Sequence, residues 1–283
     1  RIDAAWRFYD PFAGLRAYVA DEQKVLVHDG AAWVDLASML ALQNVPLFGL
    51  GTTADATNPF SAKLNKALWT AKMLAEGGDG DLFYTMNKEG EADDLGLLLQ
   101  SNFVTKALLG LFGSNIARLA TSPDGIAFKD AFRADPGTGM LTLPSNPKFA
   151  GYSNFDNYVA VDTWTKIAIN NTNYNDQGAF DTASNRFTAP ADGLYLFGAH
   201  LLYKVNTSTS ARMQARLVKN GVAVIPGSFG GITGAHVSEV TFLGLQTMIL
   251  LAENDTVELQ GRFTVQDGYF AADHTRFWGS LVA

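Results

Sequence analysis

Arg186–His200 reads RFTAPADGLYLFGAH. A Pro-x-x-Gly turn runs directly into eleven residues, Gly193–Tyr203, with almost no polar side. Alternate residues of a strand face opposite ways. Tyr195, Phe197, Ala199, Leu201 and Tyr203 therefore share one face, and Leu194, Leu196, Gly198, His200 and Leu202 the other. Residues 240–251 repeat the pattern, with Leu243, Leu245, Ile249 and Leu251 opposing Val240, Phe242, Met248 and Leu250. A sandwich strand buries one face against its partner sheet and leaves the other wet. Here both faces are apolar, so something must cover the outer one. Another copy of the chain is the economical candidate. Each large side chain stabilises by roughly 1.5–3 kcal/mol when fully buried, and four or five together are too many to leave in water. The pattern alone does not say which face is the core.

Working outward, Ala211–Val218 alternates cleanly, with Met213, Ala215 and Leu217 inward and Arg212, Gln214 and Arg216 outward. Asn220-Gly221 follows, a strong short-range hairpin signal. Val257, Leu259, Gly261 and Phe263 alternate with Thr256, Glu258, Gln260 and Arg262. Such strands, separated by turn signals, predict a β-sandwich.

Bulk composition agrees with a β-rich globular chain. Of 283 residues, 47% are hydrophobic and only 17% charged, with 27 Gly. Net charge is −7 and the pI is about 5.0. With no basic cluster, such a chain repels phosphate backbones, so nucleic acid is not an expected partner. The absence of Cys removes disulfides, thiolate metal sites and cysteine nucleophiles together. No run of about 18 apolar residues occurs, so membrane insertion by a helix is not expected. The sequence opens on Arg1 rather than Met, which suggests further protein upstream and attachment to other proteins through it.

Residues 1–47 read as a small β-meander punctuated by Asp10-Pro11, Ala13-Gly14 and Asp29-Gly30, with Trp6, Phe8, Tyr18 and Trp33 as its core. Exposed Trp that bind sugar are the alternative reading. Residues 48–147 read as a β-rich, sandwich-like unit with Pro123-Asp124-Gly125 and Asp135-Pro136-Gly137 turns. Within it, 61–75 is ambiguous. Leu64, Ala67, Leu68, Ala71 and Leu74 fit a helical stripe, whereas Phe60, Ala62, Leu64 and then Trp69, Ala71, Met73 fit a strand. Residues 148–157 lie within a Pro/Asn/Ser/Gly-rich stretch and read as a linker before a domain at 158–283.

That last domain resembles the globular C1q-like domain of the C1q/tumour-necrosis-factor superfamily. Its Gly-x-Phe … Phe-x-x-Pro-x-x-Gly-x-Tyr-x-Phe signature is similar to Gly178, Phe180, Phe187, Pro190, Gly193, Tyr195 and Phe197. LVKNG, LLAENDTVELQ (Asn254 where Gly is usual) and TRFWGSLVA, with Thr275, Phe277, Gly279 and Leu281, follow in family order. The resemblance implies a ten-strand jelly roll that forms a homotrimer through one sheet. Leu194, Tyr195, Leu196, Phe197, His200, Leu202, Phe242, Phe277 and Trp278 would then be divided between core and trimer seam. Residues 14–145 resemble a domain of fibre and tail proteins from alphaproteobacterial phages and gene transfer agents. The resemblance is carried by Leu50, Gly51, Ala54, Asp55 and Asn58, then by Ser122, Asp124, Gly125, Asp135, Thr138, Gly139 and Pro144. It favours strand over helix at 61–75.

No nucleophile elbow, phosphate loop, dinucleotide fingerprint or zinc-protease motif occurs. The four His residues (His28, His200, His236, His274) are spaced unlike metal ligands. His200 reads as a hydrogen-bonded interface residue and His236 as part of a surface loop. Acidic groups such as Asp79/Asp81 and Glu91/Asp93/Asp94 lie in polar turns and read as solvated charge. No cofactor is expected. Calcium is the one candidate, at Asn171, Asn173 and Asp176 with Asn175 and Asp181 nearby, against the plainer reading of an Asx-rich loop.

A sugar site needs aromatic faces and polar hydrogen-bonding groups. Asp267, Tyr269, Phe270, Asp273, His274 and Arg276 fall within ten residues, and Asn206 and Arg212 flank a second loop that could join them. Plain loop, with Tyr269 as a packing residue, is the competing reading. The sequence thus points to a non-enzymatic, trimeric fibre or spike protein on the surface of a phage or gene-transfer-agent particle. It would attach the particle to host capsular or lipopolysaccharide glycan. A purely structural trimerisation cap and a glycan depolymerase remain open alternatives.

Overall fold

The computed structural model describes residues 8–39, 43–205, 212–233 and 241–282. Trp6, Asn206 and His236 lie outside them. The chain divides into two units, Arg1–Tyr84 and Thr85–Ala283. The division therefore falls inside the 48–147 segment rather than at its ends. Among the described residues the regular structure is β, with two short 3-10 turns at Leu36–Met39 and Leu74–Glu76. No helix there is long and apolar enough to cross a membrane.

In the first unit, β1 (Arg16–Val19), β2 (Lys24–His28) and β3 (Trp33–Asp35) form the expected antiparallel meander. β4 (Phe48–Leu50) and β5 (Phe60–Ala62) pair in parallel. The expected aromatic core is not formed: Phe8 is 92% exposed, Tyr18 65% and Trp33 40%. Among the described residues no second layer covers these three short strands. Only Val27, His28 and the later Ala54 are buried among the described residues of this unit. The His28 ring meets Trp33 edge-on at 5.4 Å. No helical stripe forms at 61–75; β5 ends at Ala62 and only the Leu74–Glu76 turn follows.

The second unit begins with β6 (Leu95–Ser101), β7 (Val104–Leu111), β8 (Ala117–Thr121), β9 (Lys129–Ala134) and β10 (Leu141–Thr142). These make one five-stranded antiparallel meander in chain order, not the sandwich-like pair of sheets expected of this region. Its turns are built by short polar side chains. Asp135 Oδ1 accepts from the N–H groups of Gly137 and Thr138, and Asp124 Oδ1 from that of Ile126. These bonds hold both carboxyls below the usual carboxylate range.

Then comes the jelly roll. Its strands are β11 (Lys148–Tyr152), β12 (Asn157–Val159), β13 (Thr165–Lys166), β14 (Asn171–Asp176), β15 (Phe180–Asp181), β16 (Arg186–Thr188), β17 (Gly193–Val205), β18 (Arg212–Lys219), β19 (Ala223–Val224), β20 (Gly230–Thr233), β21 (Thr241–Leu251), β22 (Thr256–Thr264), β23 (Gly268–Phe270) and β24 (Arg276–Leu281). They form two seven-stranded sheets. The expected ten strands are exceeded because the margins are broken into two- to four-residue pieces such as β13, β15, β19 and β20. In one sheet β17 lies between β21 on one side and β24 and β23 on the other. In the other sheet β22 and β18 are central.

The linker expected at 148–157 is corrected. β11 pairs with both β24 and β14, and Phe149 is fully buried. The Pro, Asn and Gly around it conceal a five-residue strand. The core between the sheets is a stack of aromatic rings. Phe149 lies 4.6 Å from Phe180, 5.4 Å from Phe187 and 5.0 Å from Phe277, centroid to centroid. Met213, Ala215 and Leu217 point inward, as their alternation predicts. At the hairpin tip Asn220 and Gly221 take φ of +52° and +71°, the left-handed pair that a two-residue turn requires.

Candidate functional site

The structure resolves the two faces of β17. Tyr195, Phe197, Ala199, Leu201 and Tyr203 are fully buried between the sheets, so they are core. Phe277 joins them. The even-numbered face looks outward. Leu194, Leu196 and Leu202 are half-buried and His200 is exposed. Across the ladder, Leu194 pairs with Leu250, Leu196 with Met248 and Leu202 with Phe242. Trp278 pairs with Gly198 and lies over it: a Cβ at 198 would come 2.0 Å from the indole. Glycine is therefore required there for the ring to lie flat. The outer face is thus apolar at one end, around Leu194, Leu196, Met248, Leu250 and Trp278.

Its other end is polar and aromatic. His200, Leu202, Phe242, Asp273, His274 and Arg276 line a hollow of about 470 Å³. The His200 ring meets Phe242 edge-on at 5.1 Å, and Arg276 pairs with His200 in the ladder. Thus three of the expected sugar-site residues, Asp273, His274 and Arg276, are brought together, joined by three that the sequence assigned only to core or seam, His200, Leu202 and Phe242. In the single chain the His200 ring is exposed and packs on Phe242.

The loop carrying Asp273 and His274 is pinned at several points. Thr275 is buried and its hydroxyl donates to Ala271 O at 2.8 Å. Asp273 N–H donates to Ser153 O at 2.6 Å, and Ala272 N–H to Asp156 Oδ1 at 2.9 Å. Lys204 Nζ holds the other Asp156 oxygen at 2.6 Å. Lys204 first, and then the Ala272 N–H, hold the Asp156 carboxyl below its usual range. The wall of the hollow is therefore preorganised.

The other expected ligand residues are placed elsewhere. Tyr269 faces outward beside Tyr158, ring centroids 5.5 Å apart, and pairs with Lys204. Asp267 accepts the Tyr158 hydroxyl, which pushes the phenol pKa up. Phe270 is corrected: it is fully buried 4.9 Å from Phe263 and is core, not a ligand contact. Strand alternation decides this, since Tyr269 and Phe270 cannot share a face. Arg212 lines a separate hollow of about 380 Å³ on the opposite sheet, with Gln214, Phe229 and Thr233.

On that opposite sheet sequence reasoning missed a cross-strand ladder. Arg216 stacks on Trp164 at 4.0 Å and donates to Gln260 Oε1 at 2.9–3.0 Å. Gln260 donates to Glu258, which pairs with Lys166 at 2.8 Å. Outward alternation exposed Arg216, Glu258 and Gln260 to sequence reading, but nothing local placed Trp164 against them.

The calcium donors do not converge. Asn171 and Asp176 sit at opposite ends of β14, paired with Tyr152 and Lys148, and the bulge leaves Asn173 unpaired between them. Five strand residues separate their Cα atoms by on the order of 15 Å, whereas one calcium ion holds its oxygens within about 2.6 Å. Asp176 pairs with Lys148 at 3.3 Å, Asn175 binds the Phe180 backbone, and Asp181 accepts the Ala183 N–H. No cluster of three or more His, Asp or Glu suited to a metal occurs among the described residues.

Comparison with known proteins places this domain. Residues 154–282 match the C1q domain family. The C-terminal part of the chain is accordingly a C1q-like jelly-roll domain. Solved structures with a similar fold include the globular domain of zebrafish complement 1qA (15% identity, 49% of this chain, 98% of that one, TM-score 0.38). Murine APRIL is another (8% identity, 49% of this chain and all of that one, TM-score 0.37). So is Eiger TNF from S. frugiperda (10% identity, 49% and 92% coverage, TM-score 0.36). Among curated proteins, the "Uncharacterized protein YqcC" of Bacillus subtilis (strain 168) is 42% identical over 59 residues. The match spans 21% of this chain and only 16% of that relative's length.

Proposed function

We propose that three copies of this chain associate through the apolar outer face of β17, β21 and β24. The hollow at the rim of that face then binds sugar on a bacterial surface. The observation that carries this reading is the layout of one sheet. Its apolar end needs a partner, while Asp273, His274 and Arg276 line an open hollow at the other end beside His200 and Phe242. Ring faces, a carboxylate and a guanidinium together suit a polyhydroxylated ligand. Repetition by threefold symmetry makes weak single sites useful through avidity. The protein would serve as a fibre or spike tip on a phage or gene-transfer-agent particle, reading capsular or lipopolysaccharide glycan. Among the described residues the hollow has one lining carboxylate, Asp273, whereas glycoside hydrolysis uses two. Binding without cleavage is therefore the favoured role.

The test is binding of host capsule and lipopolysaccharide to the full chain, with Asp273→Ala and Arg276→Ala. Each variant is expected to lose at least about tenfold in affinity, the 1.4 kcal/mol of one charged hydrogen bond, with an unchanged oligomer. Equal binding by both variants would refute the site. The apolar outer face also favours a second reading, a cap that only holds a fibre together. A cap of that kind predicts that Asp273→Ala and Arg276→Ala leave particle adsorption unchanged; under the main reading they abolish it while the oligomer persists.

A further inference from the structure

The sheet face that carries the hollow continues beyond it. Along β17 the next outward residue after Leu202 is Lys204, and from Lys204 the ladder runs to Tyr269 in β23 and on to Tyr158 in β12. The neighbours Asn157, Tyr203 and Phe270 are buried, so strand alternation turns Tyr158, Lys204 and Tyr269 outward. Tyr158 is 53% exposed, and the two tyrosine rings lie 5.5 Å apart at an angle of 59°. Strand spacings put Tyr158 on the order of 12 Å from Leu202, which lines the hollow. A chain of contacts ties this row to the hollow's wall. Asp273 lines the hollow, and its neighbour Ala272 donates its N–H to Asp156. Asp156 holds Lys204 at 2.6 Å, Lys204 sits opposite Tyr269, and the Tyr158 hydroxyl donates to Asp267.

The chemistry of the row suits a sugar. Tyrosine presents an apolar ring with a polar tip, and the rings can meet the C–H faces of a pyranose. The polar groups between and beside them are not used up. Lys204 gives one N–H to Asp156, and Asp267 takes one hydrogen bond from Tyr158. An ammonium and a carboxylate can each make more, and sugar hydroxyls both donate and accept. The charge narrows the choice. Asp156 neutralises Lys204, and Asp267 adds a negative charge, so the row favours an uncharged sugar over a uronate or a phosphate. A single sugar seated in the hollow leaves Tyr158 and Tyr269 untouched. A chain of sugars that enters the hollow and runs on across the sheet reaches both.

We infer that Lys204, Tyr269, Tyr158 and Asp267 form a second subsite, which binds uncharged sugar units further along a polysaccharide whose first unit occupies the hollow. The inference rests on the sugar-binding reading of the hollow given above. It makes the ligand a stretch of polymer rather than one terminal sugar.

The test takes the full chain and fragments of one and of three repeat units. The fragments are cut from neutral capsular polysaccharide and, in a separate arm, from the polysaccharide of lipopolysaccharide. Titration calorimetry measures each affinity, and the arm that responds identifies the source. There the longer fragment should bind about tenfold more tightly, as two added ring contacts would produce. Tyr158→Ala and Tyr269→Ala should each remove most of that gain and leave the affinity for one repeat unchanged. Tyr158→Phe, which keeps the ring, should retain it. Tyr158 is exposed on an edge strand, so its truncation opens no core, and far-UV circular dichroism checks the fold of each variant. Arg276→Ala, in the hollow, should weaken both lengths together. Equal affinity for the two lengths in every arm would overturn the second subsite and leave the hollow standing. So would a length gain that both alanine variants retain, since avidity among copies would then account for it. No binding of any fragment would overturn the hollow as well.

Discussion

Replacing Met248 by Asp should dissociate the assembly without unfolding the chain. Met248 and Leu250 are 59% and 73% exposed in the single chain. Full burial of such side chains contributes roughly 1.5–3 kcal/mol each, so about 1–2 kcal/mol per residue remains available to an interface. For the two together that is about 3 kcal/mol per chain, before Leu194, Leu196 and Trp278 are added. Met248→Asp removes one share and places an unpaired carboxylate in the seam, a penalty of several kcal/mol. A loss of about 3 kcal/mol per chain weakens association more than about 100-fold, at 1.4 kcal/mol per factor of ten. The fold should persist, because residue 248 pairs with Leu196 on the outer face and makes no part of the buried core. Sedimentation equilibrium measures the first effect and far-UV circular dichroism the second. Val222→Asp, at the exposed hairpin tip, should change neither. An unshifted oligomer for Met248→Asp would refute the seam; loss of β signal in the dissociated variant would show that the outer face belongs to the folding core.

Two further predictions concern stability. Lys219, then Asn220, then the Ala252 N–H hold the Asp255 carboxyl at about 2, tying the 220–221 hairpin to the β21–β22 turn. A folded pKa below the unfolded value of about 3.9 stabilises above that value and is lost as pH falls toward 2. Asp255→Asn should therefore flatten the stability-versus-pH curve between about pH 4 and pH 2, measured by urea denaturation; an unchanged slope there would count against the pairing. Gly261→Ala should cost about 1–3 kcal/mol by overpacking, because a Cβ there would lie 2.3 Å from the Phe270 ring and 2.9 Å from Ile167. A melting temperature unchanged from the parent would show that Phe270 moves freely and is not the packed core residue described above.

Much of the jelly roll was legible in the chain alone. Alternation in Arg212–Val218 and Thr256–Phe263 specified inward and outward sides, and Asn220-Gly221 specified its turn, because strand period and left-handed turns depend on neighbouring residues. Gly193–Tyr203 announced two apolar faces. Only the tertiary structure could assign them, since equal hydrophobicity on both sides carries no direction; the answer depends on where β22 and β18 place Met213, Leu259 and Phe263. The same limit explains the errors. Phe149 in its Pro/Asn-rich surroundings was hidden because its burial comes from Phe180, Phe187 and Phe277, far along the chain. Phe270 was grouped with polar neighbours that strand geometry turns away from it. Asp273, His274 and Arg276 were found by their proximity in sequence, but His200 and Phe242 join them only through the register of β17 with β21 and β24. Sequence determined which segments alternate and where they turn, because those are local properties of the backbone; which face is inside, and which side chains share a hollow, was decided by pairing between residues dozens of positions apart.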